Sequence, residues 1–547
     1  MSDDFENISL GNQKLAQNDL DGAMHHFHAI LKNNKEHIKL YLTNFDLFCR
    51  NEITEKNYEF MKTIGEYYFE DNFVYHQLAF SKGLKLTNFY KIITLKKKNL
   101  NLINLKIINE KLFQLILKKC FITDLNFESY LTKLRKELLK KFLLESDNNI
   151  FMKIYHFLIV FAEQNFFSEF IYYESDEETR LLKNLENKNK KKDFICELTI
   201  LLISLYKPIN KLNYLQTKLD NYVSKSNEFN EFLKYVLHDP KNDRQKSISL
   251  KSISNFSNKT SRLMKSQYEE NPYPRWRYTL RPIKGNDLND YTKKYSQNYF
   301  KEPQILIAGC GTGEQAIAWS AYKDSQIYAV DLSRESLAYA IRKTKELNIN
   351  NVNFYHLDLL DLKLLDKKFD LIISTGCLHH MEKPEDGLES LVNVLKPEGL
   401  IYLGLYSKRG RSEIEWTRKY IQKKKIGVTE QNMRNFRTKM LNSKNKKFQF
   451  LRNSVDFFCL SNFRDLIFNY NEHTYDLIQI KKLLERKNLN FLTFNEMNPN
   501  LIKLFKTHFP YADKEFILET WDKFEKIYPK TFFGMYKFWV EKKNKFK

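Results

Sequence analysis

At 547 residues, 42% hydrophobic and 29% charged, the chain exceeds one hydrophobic core and has the make-up of an ordinary globular protein of roughly two to four domains. Its formal charge of +22 comes from lysines spread through the whole sequence, and "KNKKKD" (188–193) stands near the acidic "ESDEET" (174–179), a pattern of solvated faces that argues against a nucleic-acid partner. Six scattered cysteines (Cys49, Cys120, Cys196, Cys310, Cys377, Cys459) without a CxxC pair, an acidic start and no apolar run near ~20 residues argue against disulfides, zinc, a secretory leader and a membrane span, and fit a cytoplasmic protein.

Residues 1–240 are rich in Leu, Lys, Phe and Ile at helical spacing with few breakers, and they predict an all-α domain. Within it "GNQKLAQNDLDGAMHHFHAILKNN" (11–34) resembles one tetratricopeptide repeat, with Gly11, Ala23 and Phe27 in place. One repeat cannot bury its own face, so it must pack on the helices that follow. His25, His26 and His28 have no further ligand nearby in sequence and read as helix surface, not as a metal site. The polar stretch 238–261 reads as a linker. Next comes "QYEENPYPRW" (267–276), unusual for a linker, with large flat side chains at Tyr268, Tyr273 and Trp276, backbone fixed by Pro272 and Pro274, and a cation at Arg275. Residues 241–303 are therefore assigned as linker and lid.

From 304 the pattern becomes alternating strands and helices. Strands are predicted at 304–309, 326–331, 352–357, 369–374 and 400–406, apolar runs of the kind found in buried parallel sheets. The expected fold is α/β, an open doubly wound Rossmann-like sheet whose ligands sit at the carboxyl ends of the strands. Between the first strand and its helix, "GCGTG" (309–313) spends three of the chain's 15 glycines, which lets a ligand approach the main chain. Asp331, ending the second strand, can accept both hydroxyls of a ribose. Glycine loop and aspartate together fit either a nicotinamide enzyme or a methyltransferase.

Asp358 at the end of the third strand, "STGCLHHM" (374–381) at the end of the fourth and "LKPEGL" (395–400) before the fifth complete a set that, in this order, resembles the class I S-adenosylmethionine-dependent methyltransferases. The resemblance implies S-adenosylmethionine as cofactor, held by Gly309, Cys310, Gly311, Thr312, Gly313, Asp331, Leu332, Asp358, Leu359, Thr375 and Gly376. The wider sequence is similar to a bacterial family in which a tetratricopeptide-bearing helical region precedes such a domain. That family implies methyl transfer and no particular acceptor; the expected activity is methylation of a small-molecule or protein-borne acceptor, with the helical part recruiting or positioning a protein partner. By the same analogy 489–494 is a sixth strand and "FGMYKFWV" an antiparallel seventh, making 304–547 a seven-stranded methyltransferase domain with a helical insertion at about 408–488 that caps the acceptor. Arg464, Asp465, Glu472 and His473 are the insertion's polar candidates.

Two departures from the family pattern stand out: Ile307 replaces the acidic residue that contacts the methionine amino group, and Glu398 replaces a glycine in the "KPGG" turn. His379 and His380 are candidates for a base or acceptor contact, with a loop-shaping role as the alternative. Arg275 or Tyr268 is expected to reach the methionine end or the acceptor. The fourth strand lacks the (N/D)PP(Y/F) turn of amide and adenine methyltransferases, and Cys377 follows Gly376 where a cytosine enzyme needs Pro-Cys. A scaffold that binds the cofactor without turnover, and an RNA methyltransferase, remain as alternatives.

Overall fold

The structure, a computed structural model, describes residues 2–34, 36–95, 102–144, 149–191, 194–280, 282, 285–495, 497–513 and 517–543. The chain divides into two compact units, Met1–Pro240 with Trp276–Arg281, and Lys241–Arg275 with Pro282–Lys547. Among the described residues no helix is long and apolar enough to cross a membrane.

Every regular element among the first unit's described residues is a helix. It opens with the pair Ser2–Ala16 and Leu20–Asn33, turned at Asn18 and capped by Asp19, whose carboxylate accepts from the Gly22 amide at 2.9 Å. The ring of Phe27 lies directly on Gly11, where an added Cβ would meet a ring carbon at 2.2 Å. Gly11→Val should therefore lower stability by about 1–3 kcal/mol through overpacking, read as an earlier loss of helical circular dichroism in urea. Of the three histidines expected on the helix surface, His25 is exposed and His28 is not. His25 stacks on Phe60 with ring centroids 3.5 Å apart, and His28 is buried, its pKa pushed down to about 4 by burial. Nor is the acidic run at 174–179 wholly solvated. Glu178 is 2% exposed, closes a capping box with Ser175, and accepts from Tyr206 at 3.0 Å and Arg135 at 3.3 Å.

The second unit is built on a seven-stranded sheet: β1 Gln304–Ala308, β2 Gln326–Asp331, β3 Val352–His356, β4 Phe369–Thr375, β5 Leu395–Tyr406, β6 Leu489–Phe494 and β7 Met535–Lys542. Their order is β3-β2-β1-β4-β5-β7-β6, with β7 running against the other six. Strand β1, apolar and buried almost end to end, lies at the point where the order reverses, so its carboxyl end opens a crevice. The "KPEG" stretch is the bulge of β5: Phe369 pairs with Leu395 and Leu371 with Leu400. Helices fill the connection from β5 to β6, and the last of them, Leu477–Arg486, buries Leu477, Ile480, Leu483 and Leu484 in the sheet's own core.

The expected linker is structured. Asp239–Ser249 is helical, and Ser252 bridges to His356 along the edge of β3. Its polar sequence hid this, because both elements rest on ion pairs and main-chain bonds, such as Arg342 to Asp243 at 2.9 Å, and bury little apolar surface.

Candidate active site

At the end of β1 the chain turns through Gly309, Gly311 and Gly313 with φ of 76°, 51° and 91°. These conformations are costly for residues with a Cβ. Space is equally restrictive at Gly311, where a Cβ would lie 2.4 Å from the Tyr273 carbonyl oxygen. The loop is closed by the amides of Gly309 and Cys310, which donate to the Val330 carbonyl at 3.0 and 2.9 Å.

Beside the loop lies a cavity of about 450 Å³ whose lining includes Gly309, Cys310, Gly311, Asp331, Leu332, Asp358, Leu359, Thr375, Gly376, His380, Tyr268 and Tyr273. Residues singled out across more than a hundred positions thus share one space. Asp331 is held from both sides, Oδ2 accepting from the Gly311 amide at 2.8 Å and Oδ1 from Ser333 at 2.8 Å. Burial pushes its pKa up to about 6, against the pull of the Ser333, Gly311 and Leu332 amides. Asp358 accepts from the Leu360 amide at 3.1 Å, and its own amide donates to Ser254 at 2.9 Å.

The two histidines separate. His380 lines the cavity, and its Nδ1 lies 2.8 Å from the Asn471 carbonyl oxygen. A carbonyl only accepts, so Nδ1 carries the proton and Nε2 of the neutral ring keeps its lone pair. His379 does not line the cavity. Its ring lies against Tyr406, centroids 3.6 Å apart, and burial holds its pKa well below the usual value, against the opposing pull of the Gly404 main chain. Of the two candidate histidines, only His380 is thus placed on the cavity wall.

The segment before β1 divides as well. Tyr268, Tyr273 and Pro274 line the cavity; Thr312 donates its hydroxyl to the Pro274 carbonyl at 2.7 Å and its amide to Tyr273 at 3.3 Å. Tyr268 donates to Asp465 at 2.8 Å. Arg275 does not line the cavity, and its amide donates to Asn462 at 3.2 Å. Trp276 also stands apart: Trp276–Arg281 counts with the helical unit, where Arg277 clasps Glu163 at 2.9 and 3.2 Å. Thr312 and Gly313 shape the loop from outside the cavity.

Of the insertion's candidates, Arg464 is tied to Glu270 and Asn271, and Glu472 to Arg411 at 3.0 Å. His473 lies outside the cavity too; its amide donates to the His379 carbonyl at 2.7 Å. Asn471 donates to the Met381 carbonyl at 2.7 Å, so this stretch braces the histidine loop from behind.

Several lining residues carry no sequence signal, among them Glu314, Tyr291, Trp319, Tyr402, Asn495 and Lys537. Asn495 organises the aromatic side, donating to Tyr402 at 3.2 Å and Tyr291 at 3.4 Å while accepting from Tyr295 at 2.6 Å. These residues come from five separate stretches of the chain, which only the fold assembles.

Residues 305–399 match the model of a family described as a methyltransferase domain. An uncharacterized protein of Synechococcus sp. is 37% identical over 114 residues, 20% of this chain and 27% of that protein. The 27-O-demethylrifamycin SV methyltransferase of Amycolatopsis mediterranei is 28% identical over 102 residues, 18% of this chain and 38% of that enzyme. Among solved structures, PKMT2 from Rickettsia typhi in complex with AdoHcy is 19% identical with a TM-score of 0.38, covering 50% of this chain and 55% of that one. The chain spans well under half the length of the two curated relatives. Over residues 305–399 the chain carries a methyltransferase domain of the class I, S-adenosylmethionine-dependent kind.

Proposed function

We propose that the chain transfers a methyl group from S-adenosylmethionine to a small-molecule or protein-borne acceptor. The observation that carries this reading is one cavity bringing together Asp331, anchored on the glycine loop, and His380, whose ring tautomer is fixed. The cavity fits the cofactor: about 450 Å³ lies within the range of small-molecule sites, and Gly376, with φ of 90°, keeps open a space that a side chain would enter. Asp331 would accept the ribose hydroxyls, Asp358 and Leu359 would meet the adenine, and Thr375 and Gly376 would border the reacting end. When bound, the cofactor supplies a methyl group already activated on a sulfonium. The chain's task is then alignment and exclusion of water, for which Tyr268, Tyr273 and Tyr406 provide large apolar walls.

A base is needed only for an acceptor with a proton to lose. Nε2 of His380 can take that proton, while the Asn471 carbonyl stabilises the resulting imidazolium through Nδ1. Tyr268 and Tyr273 act as a fixed wall joined to the glycine loop, and the role foreseen for Arg275 is withdrawn. The helical unit, with its tetratricopeptide-like opening pair, would recruit the partner that bears or delivers the acceptor, in a reducing cytoplasm that suits six free cysteines.

The state of Asp331 gives a pH test. Hydroxyl donors bind the ionised carboxylate, so near pH 6 binding must release the proton held by the protonated fraction. Calorimetry of S-adenosylhomocysteine binding in two buffers of different ionisation enthalpy should give net proton release near that pH and none well above it. Proton uptake would contradict the ribose assignment.

Turnover itself is tested by giving the full chain S-adenosylmethionine and a cell extract and measuring S-adenosylhomocysteine. Product above the level of extract alone supports the transferase. Tight binding with no product in any extract supports the scaffold instead.

A further inference from the structure

The amino-acid end of the cofactor carries an ammonium and a carboxylate, and a partly desolvated cavity holds such charges only against countercharges. We propose that Glu314 and Lys537 clamp this zwitterion, Glu314 taking the ammonium and Lys537 the carboxylate. The inference rests on the reading of the cavity as an S-adenosylmethionine site.

Position along the sheet makes the assignment. The lining carboxylates are Asp331, Asp358 and Glu314, and Lys537 is the lining residue with a permanent positive charge. Asp331 ends β2 and Asp358 follows β3, so both stand on the β3-β2 side of β1. A nucleoside laid with its base at β3 and its ribose at β2 extends its third part past β1, over β4. Glu314 and Gln315 open the helix that follows the glycine loop, and Gln315 donates to the Thr375 hydroxyl at the end of β4. Thr375 is directly opposite Gly404 on β5, and Gly404 is opposite Lys537 on β7. Directly paired residues project from one face of a sheet, so Lys537 shares the face of Thr375. Between them stands a glycine, where an added Cβ would lie 3.0 Å from the Thr375 Cβ. Gln315, the neighbour of Glu314, and Lys537 thus stand to either side of Thr375. No charge comes from β1 below, because Ile307 is fully buried among Ile305, Leu371 and Ile373.

The test compares two ligands by calorimetry on the full chain: S-adenosylhomocysteine, and methylthioadenosine, which keeps the adenosine and thioether but lacks the amino-acid group. Glu314→Gln and Lys537→Met should each weaken S-adenosylhomocysteine by roughly 10- to 150-fold, the range for hydrogen bonds to charged groups, and leave methylthioadenosine within about twofold. The second ligand also reports that each variant site is folded. Equal losses for both ligands, or no loss for either, would overturn the clamp. If the parent chain binds neither ligand, the cofactor reading falls together with it; if the parent binds both and the variants match it, the clamp alone falls.

Discussion

Replacing His380 with alanine should lower turnover by about 10²- to 10⁴-fold while the affinity for S-adenosylhomocysteine stays unchanged, provided the acceptor must lose a proton. The expectation follows from one hydrogen bond. With Nδ1 committed to the Asn471 carbonyl at 2.8 Å, the neutral ring has its base at Nε2 on a side chain that lines the cavity. The neighbouring His379→Ala should behave differently. That ring fills a space against Tyr406 and does not reach the cavity, so its loss should reduce stability and spare the chemistry of the folded fraction. A kcat loss confined to His380, with a melting-point loss confined to His379, separates the two roles. Full activity in His380→Ala would remove the base from the proposal.

Asp331→Ala should weaken S-adenosylhomocysteine by roughly 1.5–3 kcal/mol, the range for hydrogen bonds to a charged group, or about 10- to 150-fold. Asp331→Asn offers no safe alternative. Both carboxylate oxygens accept main-chain N–H groups, from Gly311 and Ser333, each at 2.8 Å, and an amide nitrogen in either position would face a donor with a donor. The asparagine variant should therefore disturb the glycine loop as well as the ribose contact. Calorimetry of both variants decides this; unchanged affinity in a folded Asp331→Ala protein would defeat the ribose assignment.

The sequence was most legible where the backbone imposes residue types. The glycine loop announced itself because positive φ and the close Tyr273 carbonyl leave no room for a side chain at Gly311. Five of the strands were legible as short apolar runs, and the remaining two by analogy with the family, the last of them pairing antiparallel in the expected place. Charged side chains were far less legible, because their partners are distant in sequence. Arg464 and His473 looked like acceptor contacts, but one is tied to Glu270 and the other's amide holds the His379 carbonyl. Arg275 and Trp276 continued a convincing aromatic segment, yet the cavity lining stops at Pro274. Conversely, Asn495 and Lys537 gave no sign of themselves, since only the pairing of β5 with β7 brings that end of the chain to the cavity.

The claim that this chain is a methyltransferase is tested most directly by mass spectrometry of a deletion strain. Deletion should cause loss of a molecule or peptide and accumulation of its counterpart lighter by one CH2. Adding the purified chain with S-adenosylmethionine to the mutant extract should convert the lighter species into the heavier, and the His380→Ala chain should do so far more slowly. Such a mass pair is the expected result. Identical small-molecule and peptide profiles in parent and deletion strains, with no species in the mutant extract gaining a methyl group on addition of the chain, would contradict it.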